Sequence, residues 1–366
     1  MAAGLFIGLM SGTSLDGVDG VLFDAVRLAV TGHVHTPFAP ALRDELLALN
    51  TPGPNELHRA ALAANAVART YADLVAQLLE ATATPRGQVR AIGAHGQTVR
   101  HRPGGVEGYT TQLLNGALLA EQAGIDVVCD LRSRDVAAGG QGAPLVPAFH
   151  RAVFGAAGED VAVLNLGGIA NLSLLYADGR TGGFDTGPAN CLMDGWIARH
   201  RGAAFDADGA WAASGRVHAD LLSALLAEPW FALPPPKSTG RDLFHLDWLD
   251  TKRLPGLAPE DVQATLLELS ALTVAQALQR QMPAASRVVV CGGGARNGAL
   301  LRRLGELLAG ICVQTSAVHG LPVDQVEAAA FAWLAHRFVE RQPGNLPAVT
   351  GAAGPRLLGA LYPAWV

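Results

Sequence analysis

The chain's most concentrated group of small and polar residues is the segment Ser11-Gly12-Thr13-Ser14-Leu15-Asp16-Gly17-Val18-Asp19. Glycines let a backbone turn tightly and approach a ligand, and backbone N–H groups with nearby hydroxyls can surround phosphate oxygens. The segment therefore predicts a phosphate-binding turn, in which Asp16 would hold Mg²⁺ through water. An ordinary hairpin turn, with Asp and Gly present for backbone reasons, is the alternative.

Two further glycine turns follow apolar runs. Gly167-Gly168-Ile169-Ala170-Asn171 separates two such runs and repeats the position of the first turn. Gly292-Gly293-Gly294-Ala295-Arg296-Asn297 follows a Val-rich run, but the third glycine of a dinucleotide fingerprint is missing. The sequence also contains no G-x-x-x-x-G-K-[ST] motif, so a nucleotide site here must be built differently from a Rossmann or P-loop site.

Asp185 is the candidate general base. It lies in Gly183-Phe184-Asp185-Thr186-Gly187-Pro188-Ala189-Asn190, at the end of an expected strand and before a helical run. A carboxylate at a strand end beside a cleft is well placed to accept a proton. Helix capping is the alternative, although Asn190 could cap the helix instead.

Three polar loops precede this region, at His95–Thr98, Asp130–Asp135 and Gly139–Pro144. Their donors and acceptors suit a hydroxyl-rich ligand such as a sugar, whereas salt bridges among Arg132, Arg134 and Asp135 are the alternative. Further along, Asp324-Gln325-Val326-Glu327 resembles a capping box, so Glu327 is expected to cap a helix, bind substrate, or do both.

The elements that would position these residues occur twice. Each half has a strand, a tight turn, a second and third strand, a helix, and two further strands. The expected strands are Leu5–Leu9, Val18–Phe23, Ala29–His35, Val89–Ala94 and Val127–Cys129, and then Val161–Leu166, Leu172–Tyr176, Gly182–Phe184, Arg287–Cys291 and Ile311–Thr315. The spacing between equivalent elements differs, which predicts insertions, with Pro229–His245 as the clearest candidate. Two unrelated α/β domains are the alternative, but a duplication places a ligand cleft between two matching lobes.

The helix of each half has an expected buried face. In the first it comprises Leu57, Ala61, Ala64, Val67, Tyr71, Leu74 and Leu78, and in the second Val262, Leu266, Leu269, Thr273 and Ala277. Both sets are spaced by three or four residues, as one side of a helix requires.

Composition narrows the class of protein. The 366 residues predict about two domains, and 50% hydrophobic with 16% charged residues excludes a disordered polyelectrolyte. The net charge of −5 argues against a nucleic-acid partner. The four scattered cysteines are expected to be reduced core residues, and no leader or membrane span is apparent, so we expect a cytoplasmic protein without a membrane partner.

The residues from Gly8 to Asp19 resemble the signature of the anhydro-N-acetylmuramic acid kinase family. The resemblance continues through His95–Thr98, Asp130–Pro144, Asn165–Asn171, Phe184–Asn190, Lys237–Arg241 and Gly292–Asn297, and passes Glu327. That family belongs to the sugar kinase, actin and heat-shock chaperone superfamily. The resemblance therefore implies an α/β protein with two duplicated ribonuclease H-like lobes and an interdomain cleft for ATP and substrate. The expected lobes are residues 1–135 joined by 325–366, and residues 136–324.

The resemblance also implies a reaction. An aspartate matching Asp185 deprotonates water, which attacks C1 of 1,6-anhydro-N-acetylmuramic acid, and the released O6 attacks the γ-phosphate of ATP. The products are N-acetylmuramic acid 6-phosphate and ADP, in recycling of cell-wall peptidoglycan, with Mg²⁺ supporting phosphoryl transfer. The small-molecule sugar would be the partner, and the enzyme would form a homodimer. Another sugar kinase of the superfamily, or a non-catalytic nucleotide-dependent switch, is the alternative.

The resemblance assigns further roles by residue. The implied ATP contacts are Gly12, Thr13, Ser14, Leu15, Asp16, Gly17, Val18, Asp19, Gly167, Gly168, Asn171, Gly292, Gly293, Gly294 and Asn297. The implied substrate contacts are His95, Gln97, Thr98, Asp130, Arg132, Asp135, Pro188, Asn190 and Glu327. Asp185 is the implied catalytic residue.

Overall fold

A computed structural model describes residues 4–12, 15–240, 242–252 and 256–365. The expected ATP contacts of Thr13 and Ser14 lie outside the described residues. No helix in the described ranges combines the length and the apolar character needed to cross a membrane.

The described chain contains the ten expected strands, with limits shifted by up to four residues, and three that were not expected, at Gln97–Arg102, Tyr109–Leu113 and Ala360–Tyr362. Gln97 and Thr98 thus lie in a strand and not in a loop. The strands are β1 Leu5–Met10, β2 Gly17–Asp24, β3 Ala29–Pro37, β4 Val89–Ala94, β5 Gln97–Arg102, β6 Tyr109–Leu113, β7 Val127–Cys129, β8 Val161–Leu166, β9 Ile169–Leu175, β10 Thr181–Pro188, β11 Arg287–Cys291, β12 Cys312–Thr315 and β13 Ala360–Tyr362.

Helices connect and cover these strands. They are α1 Pro40–Ala48, α2 Glu56–Ala81, α3 Gly116–Ala123, α4 Ser133–Ala137, α5 Val146–Phe154, α6 Asn190–Arg201, α7 Ala210–Ser214, α8 Ala219–Leu226, α9 Leu246–Lys252, α10 Pro259–Gln281, α11 Gly298–Leu307, α12 Val326–Val339 and α13 Pro347–Thr350.

The chain divides into two compact units. The first contains the described residues of Met1–Phe149 and Gln325–Val366, and the second contains those of His150–Asp324. Relative to the expected limits, residues 136–149 lie in the first unit. Backbone hydrogen bonds hold this segment there, because the N–H of Gly140 donates to the Asp135 carbonyl and that of Gln141 to the Thr350 carbonyl.

The two units repeat one sheet topology. In the first unit the strand order is β3-β2-β1-β4-β7-β13, and in the second it is β10-β9-β8-β11-β12. The first three strands of each unit are antiparallel neighbours, whereas β4 and β7, and likewise β11 and β12, continue the sheet in parallel. This shared order confirms the predicted α/β class and the duplication.

Insertions distinguish the units. The hairpin of β5 and β6 lies between β4 and β7 in the first unit. The second unit places α6 to α9 between β10 and α10, so Pro229–His245 is only part of a longer, mostly helical insertion.

Apolar periodicity predicts the core well, with local exceptions. Of the expected face of α2, Val67, Tyr71, Leu74 and Leu78 are buried, but Leu57 is 88% exposed and Ala61 is exposed, so the expected burial is wrong near the start of the helix. Cys129 and Cys291 are buried as expected, whereas Cys191 is half-buried and Cys312 is exposed on the edge strand β12, so the expected burial is wrong for these two.

Candidate active site

Asp185 lies on β10 of the second unit and is half-buried. Its backbone N–H donates to the carbonyl of Lys237 at 3.0 Å, and its Oδ2 accepts from the N–H of Thr239 at 2.9 Å. Within the described residues its other carboxylate oxygen, Oδ1, accepts no hydrogen bond. One oxygen of Asp185 is therefore fixed by the loop, and the other has no protein partner in the part of the chain that the structure describes.

Burial raises the pKa of Asp185 to about 6, against the opposing effect of the Thr239 N–H. A carboxylate with a pKa near 6 is a stronger base than an ordinary aspartate, and most of it is still ionised at neutral pH. The capping alternative is wrong, because α6 begins after Ala189 without a side-chain cap and Asp185 lies within a strand.

Strand register places polar side chains in a row across the sheet of the second unit. Asp185 pairs with Asn171, which also pairs with Asn165, and Asn165 pairs with Cys291. A bulge between Asp185 and Gly187 ends this regular pairing, and bulges commonly redirect side chains next to functional sites. Asn165 was not among the expected site residues, although a polar residue ending the apolar run of β8 is a signal for it.

The glycine turns of the second unit lie against one another at the carboxyl ends of β8 and β11. The carbonyl of Gly167 accepts from the Asn190 N–H, and that of Gly168 accepts from the N–H groups of Ala189 and Cys191. A side chain at Gly292, which has φ of 81°, would lie 2.4 Å from Oδ1 of Asn165. The carboxyl ends of neighbouring parallel strands are the usual ligand edge of an α/β sheet.

Other expected contacts in this unit have structural bonds of their own. Asn190 donates from Nδ2 to the Leu166 carbonyl at 3.1 Å, and the buried Pro188 carbonyl accepts from Ser270. Asn297 caps α11 by accepting from the Leu300 N–H at 3.0 Å. All three residues were expected to contact a ligand. Their hydrogen bonds within the protein show that they also hold the turns in shape.

Arg132 and His95 form the centre of the polar cluster in the first unit. Arg132 donates from Nε and Nη2 to Nε2 of His95, at 3.1 and 2.9 Å, and from Nη1 to the Gly142 carbonyl. Nδ1 of His95 lies 3.1 Å from the Ser11 carbonyl. The alternative, salt bridges among Arg132, Arg134 and Asp135, is not found among the ion pairs of the described residues, and Asp135 instead accepts from Gly142, Asn345 and Thr350.

Glu327 lies close to the charges of two other expected site residues, Arg132 and Asp19. Part of the Glu327 side chain is exposed to solvent, but protein surrounds its carboxyl group. Removal of water from the carboxyl group raises the pKa of Glu327, the charge of Arg132 lowers that pKa, and the charge of Asp19 raises it. The cap of α12 is Gln325 without a side-chain bond, and Asp324 pairs with Arg296, so the expected capping box is wrong. Substrate contact by Glu327 stays a prediction.

Asp19 has two histidine partners that sequence reasoning missed. Its Oδ1 lies 3.0 Å from Nε2 of His33 and 3.1 Å from Nδ1 of His35. Burial opposes the effect, but these hydrogen bonds lower the pKa of Asp19. The alternation His-Val-His on β3, which puts both rings on one face, was the available signal.

The remaining first-unit residues differ in their surroundings. Gln97 is buried and donates to the Gly12 carbonyl, while its Oε1 has no hydrogen-bond partner among the described residues. Asp135 is fully buried, and its two oxygens accept from Gly142, Asn345 and Thr350. Thr98 accepts from Gln112, and the exposed Asp130 accepts from Ser133.

The metal expectation concerns Asp16, which is exposed beside the start of β2. The described residues contain no group of three or more His, Cys, Asp or Glu side chains that could hold a metal by themselves. Mg²⁺ in kinases is commonly held by one or two carboxylates, waters and the substrate phosphates, which a single exposed aspartate fits.

Comparisons with known proteins cover the whole chain. A family model described as anhydro-N-acetylmuramic acid kinase matches residues 4–364. The chain is 59% identical over 375 residues to an anhydro-N-acetylmuramic acid kinase of Variovorax paradoxus (strain S110), covering 100% of both chains. It is 60% identical over 371 residues to one from Bordetella petrii, covering 98% of this chain and 96% of that one. Among solved structures, the activator of the 2-hydroxyisocaproyl-CoA dehydratase from Clostridium difficile with bound ADPNP is similar, with a TM-score of 0.47, 13% identity and coverage of 92% and 96%. The full-length family match and these identities establish that the chain belongs to the anhydro-N-acetylmuramic acid kinase family.

Proposed function

We propose that the chain transfers the γ-phosphoryl group of ATP to O6 of 1,6-anhydro-N-acetylmuramic acid while water opens the 1,6-anhydro bond. The products are N-acetylmuramic acid 6-phosphate and ADP. The single structural observation that carries this proposal is Asp185, whose carboxylate has a pKa raised by burial to about 6 and one oxygen without a hydrogen bond in the described residues.

Asp185 acts on water in this proposal. Its carboxylate takes a proton as the water oxygen bonds to C1, and the C1–O6 bond breaks with its electron pair moving to O6. O6 then attacks the γ-phosphorus, and ADP leaves. Since O6 is blocked until the bridge opens, the base serves bond opening first, and phosphoryl transfer depends mainly on positioning and charge.

The glycine turns are the proposed ATP contacts. The adjoining turns at Gly167-Gly168 and Gly292-Gly293-Gly294 offer backbone at the carboxyl ends of β8 and β11, and Gly293 has open space around it. For the same chemical reason we assign phosphate contact to the segment from Gly12 to Asp19. When bound, Mg²⁺ held through water by Asp16 would neutralise phosphate charge.

The proposed sugar contacts keep all nine expected residues. Arg132 and Glu327 have the strongest support, because they are two charged side chains that lie close enough to attract each other, and neither forms a salt bridge in the described residues. Gln97 follows, through its unbonded Oε1. Asp135 has the weakest support, since its oxygens already accept three hydrogen bonds.

An assay of ADP release tests the activity. The purified chain with ATP and Mg²⁺ should release ADP when 1,6-anhydro-N-acetylmuramic acid is added. N-Acetylmuramic acid, whose 6-hydroxyl is free, serves as the comparison substrate. Preference for the free 6-hydroxyl would identify an ordinary sugar kinase, and ADP release independent of either sugar would favour a nucleotide-dependent switch.

The base assignment needs its own variant. Asp185→Asn preserves shape but removes the basic oxygen, so turnover should fall by at least about 100-fold. ATP binding should persist, as a calorimetric titration would show. Asp178→Asn is the control, because it alters an exposed carboxylate of the same unit that pairs with Arg180. Near-normal turnover of a folded Asp185→Asn protein would refute the assignment.

Stability and activity should change in opposite directions in this variant. The pKa of Asp185 is raised in the folded chain, so the folded state binds more protons between about pH 4 and 6 and loses stability as pH rises through that range. At pH 7 a neutral Asn removes this cost, and the free energy of unfolding should rise by about 1–2 kcal/mol. Chemical denaturation at pH 7 measures it.

We further propose that the enzyme works in the cytoplasm as a homodimer and serves recycling of cell-wall peptidoglycan. Light scattering should then give twice the chain mass of 37.9 kDa. Deletion in a bacterium that carries this protein should cause 1,6-anhydro-N-acetylmuramic acid to accumulate in the cell extract.

A further inference from the structure

Lys237 is one of two lysines in the chain, the other being Lys252. It follows the 3₁₀ turn Pro229–Ala232 in the Pro-rich loop, and its side chain folds back onto that turn. Nζ donates to the carbonyls of Trp230 and Phe231, at 3.3 and 3.0 Å, and lies 4.1 Å from the centre of the Trp230 ring. The ammonium group thus links residue 237 to the turn at Trp230 and Phe231.

Backbone groups of the same loop form hydrogen bonds with Asp185, the proposed base. The carbonyl of Lys237 accepts from the N–H of Asp185, and the N–H of Thr239, two residues later, donates to Oδ2 of Asp185. These bonds fix both the main chain and one carboxylate oxygen of Asp185. The position of residues 237–239 therefore determines how the carboxylate is oriented.

A second contact from the loop reaches the strand just after Asp185. Gly187 has φ of 141° and lies beyond the bulge, and a side chain there would come within 2.7 Å of the Phe231 ring. The loop and the strand are therefore linked by three contacts. The Asp185 N–H bonds to the Lys237 carbonyl, Nζ of Lys237 bonds to the Phe231 carbonyl, and the Phe231 ring packs against Gly187.

We propose that Lys237 is a positioning residue for the hydrolytic step, holding the Thr239 N–H on Asp185 by fixing the loop from Trp230 to Thr239. This inference rests on the proposed role of Asp185 as the base. Lys237 itself does not touch the reacting atoms in this proposal.

The groups around Asp185 determine its pKa, and this pKa sets the acid limb of the pH–rate profile. Burial is the largest cause of its raised pKa, and the Thr239 N–H is the opposing contribution. Burial and the nearby Arg280 of α10 lower the pKa of Lys237. On β9 the facing residue, Asn171, is neutral. Loss of the Thr239 bond would therefore raise the pKa of Asp185 and move the acid limb of the rate profile to higher pH.

Lys237→Met tests the proposal, because Met keeps an unbranched stem over Trp230 and removes the ammonium. With 1,6-anhydro-N-acetylmuramic acid and ATP, the acid limb of kcat should move up by about one pH unit, the size expected for one hydrogen bond to a charged group. The kcat on the alkaline plateau should fall about 10-fold or more, as misplacement of a base produces.

Lys252→Met is the matched control. Lys252 lies in the same unit and pairs with Glu228 at 3.6 Å, and it has no contact with Asp185 among the described ion pairs and hydrogen bonds. Its profile should superimpose on that of the unmodified protein. A Lys237→Met profile that also superimposes would overturn the proposal, while the base assignment would still be judged separately by Asp185→Asn.

A double variant separates positioning from general damage. If Lys237 acts through Asp185, adding Lys237→Met to Asp185→Asn should slow turnover no further. An additional loss equal to that of Lys237→Met alone would overturn the proposal. Should Lys237→Met not fold, Trp230→Leu removes the ring under the ammonium, and a smaller upward shift of the acid limb is expected; an unmoved limb would count against the proposal.

Discussion

Two nitrogens of Arg132 donate hydrogen bonds to the same nitrogen of His95. The accepting Nε2 therefore carries no proton, and Nδ1 is left to donate to the Ser11 carbonyl. His95 is a fixed neutral acceptor that orients a guanidinium. It does not have the free nitrogen that a general base in this cluster would need.

His95 should stay neutral throughout the range in which enzymes of this kind are assayed. Burial and then the Arg132 charge lower its pKa to about 3. Since the ordinary value is about 6.5, the unfolded state binds the proton first, and stability should fall as pH drops from about 6.5 towards 3. NMR of the His95 ring between pH 5 and 8 should show constant shifts, and a midpoint near 6.5 in the folded protein would contradict this.

Arg132→Met should weaken sugar binding and the fold together. It removes the donors to His95 and to the Gly142 carbonyl, at a cost of about 1–3 kcal/mol for the acceptors left without partners. It also removes the charge next to Glu327, so KM for the sugar should rise. Arg134→Met, at an exposed position of α4, is the control and should leave both unchanged. Denaturation and initial rates measure the two effects, and equal behaviour of the variants would refute the prediction.

Asp135→Asn should affect stability more than chemistry. Its Oδ1 accepts from Asn345 and Thr350, and its Oδ2 accepts from the Gly142 N–H at 2.8 Å. Since all three partners are donors, the NH₂ group of an asparagine would face a donor in place of an acceptor. The free energy of unfolding should fall by about 2–3 kcal/mol. Asp130→Asn is the matched change at an exposed residue with φ of 53°, which Asn tolerates. Loss of activity in fully folded Asp135→Asn would instead support direct substrate contact.

Gly93→Ala should strongly destabilise the first unit. A Cβ at Gly93 would lie within 1.9 Å of the Phe331 carbonyl oxygen on α12. Because backbone cannot yield as a side chain can, we expect a loss of about 3 kcal/mol. Gly87→Ala, where nothing lies within 4 Å, is the control. A melting temperature of Gly93→Ala equal to that of the control would contradict the packing of α12 on β4.

Local pattern was sufficient for the elements of the fold. The apolar runs of β8 and β11 and the periodic face of α10 follow from neighbouring residues, and the expected strands occur in both units in the expected succession along the chain. The pattern was wrong at Leu57 and Ala61, because periodicity alone cannot show which turns of a helix have a neighbour to pack against.

The partners of the site residues could not be predicted in the same way. Thr239 meets Asp185 across 54 positions of sequence, and Asn345 meets Asp135 across 210. Such contacts depend on how loops return to the sheet. This is why the buried hydrogen bonds of Asp135 and the contact of residues 237–239 with Asp185 were not predicted from the sequence.

The first unit is assembled from segments on either side of the second, and this has a consequence during synthesis. The strands β1 and β4 receive α12 only after residues 150–324 have been made. At about 5–20 residues per second, these 175 residues take roughly 10–35 s. For that interval the nascent chain exposes an uncovered apolar sheet face, while the second unit, being continuous, can already fold. The late arrival of α12 therefore separates the folding of the first unit in time from that of the second.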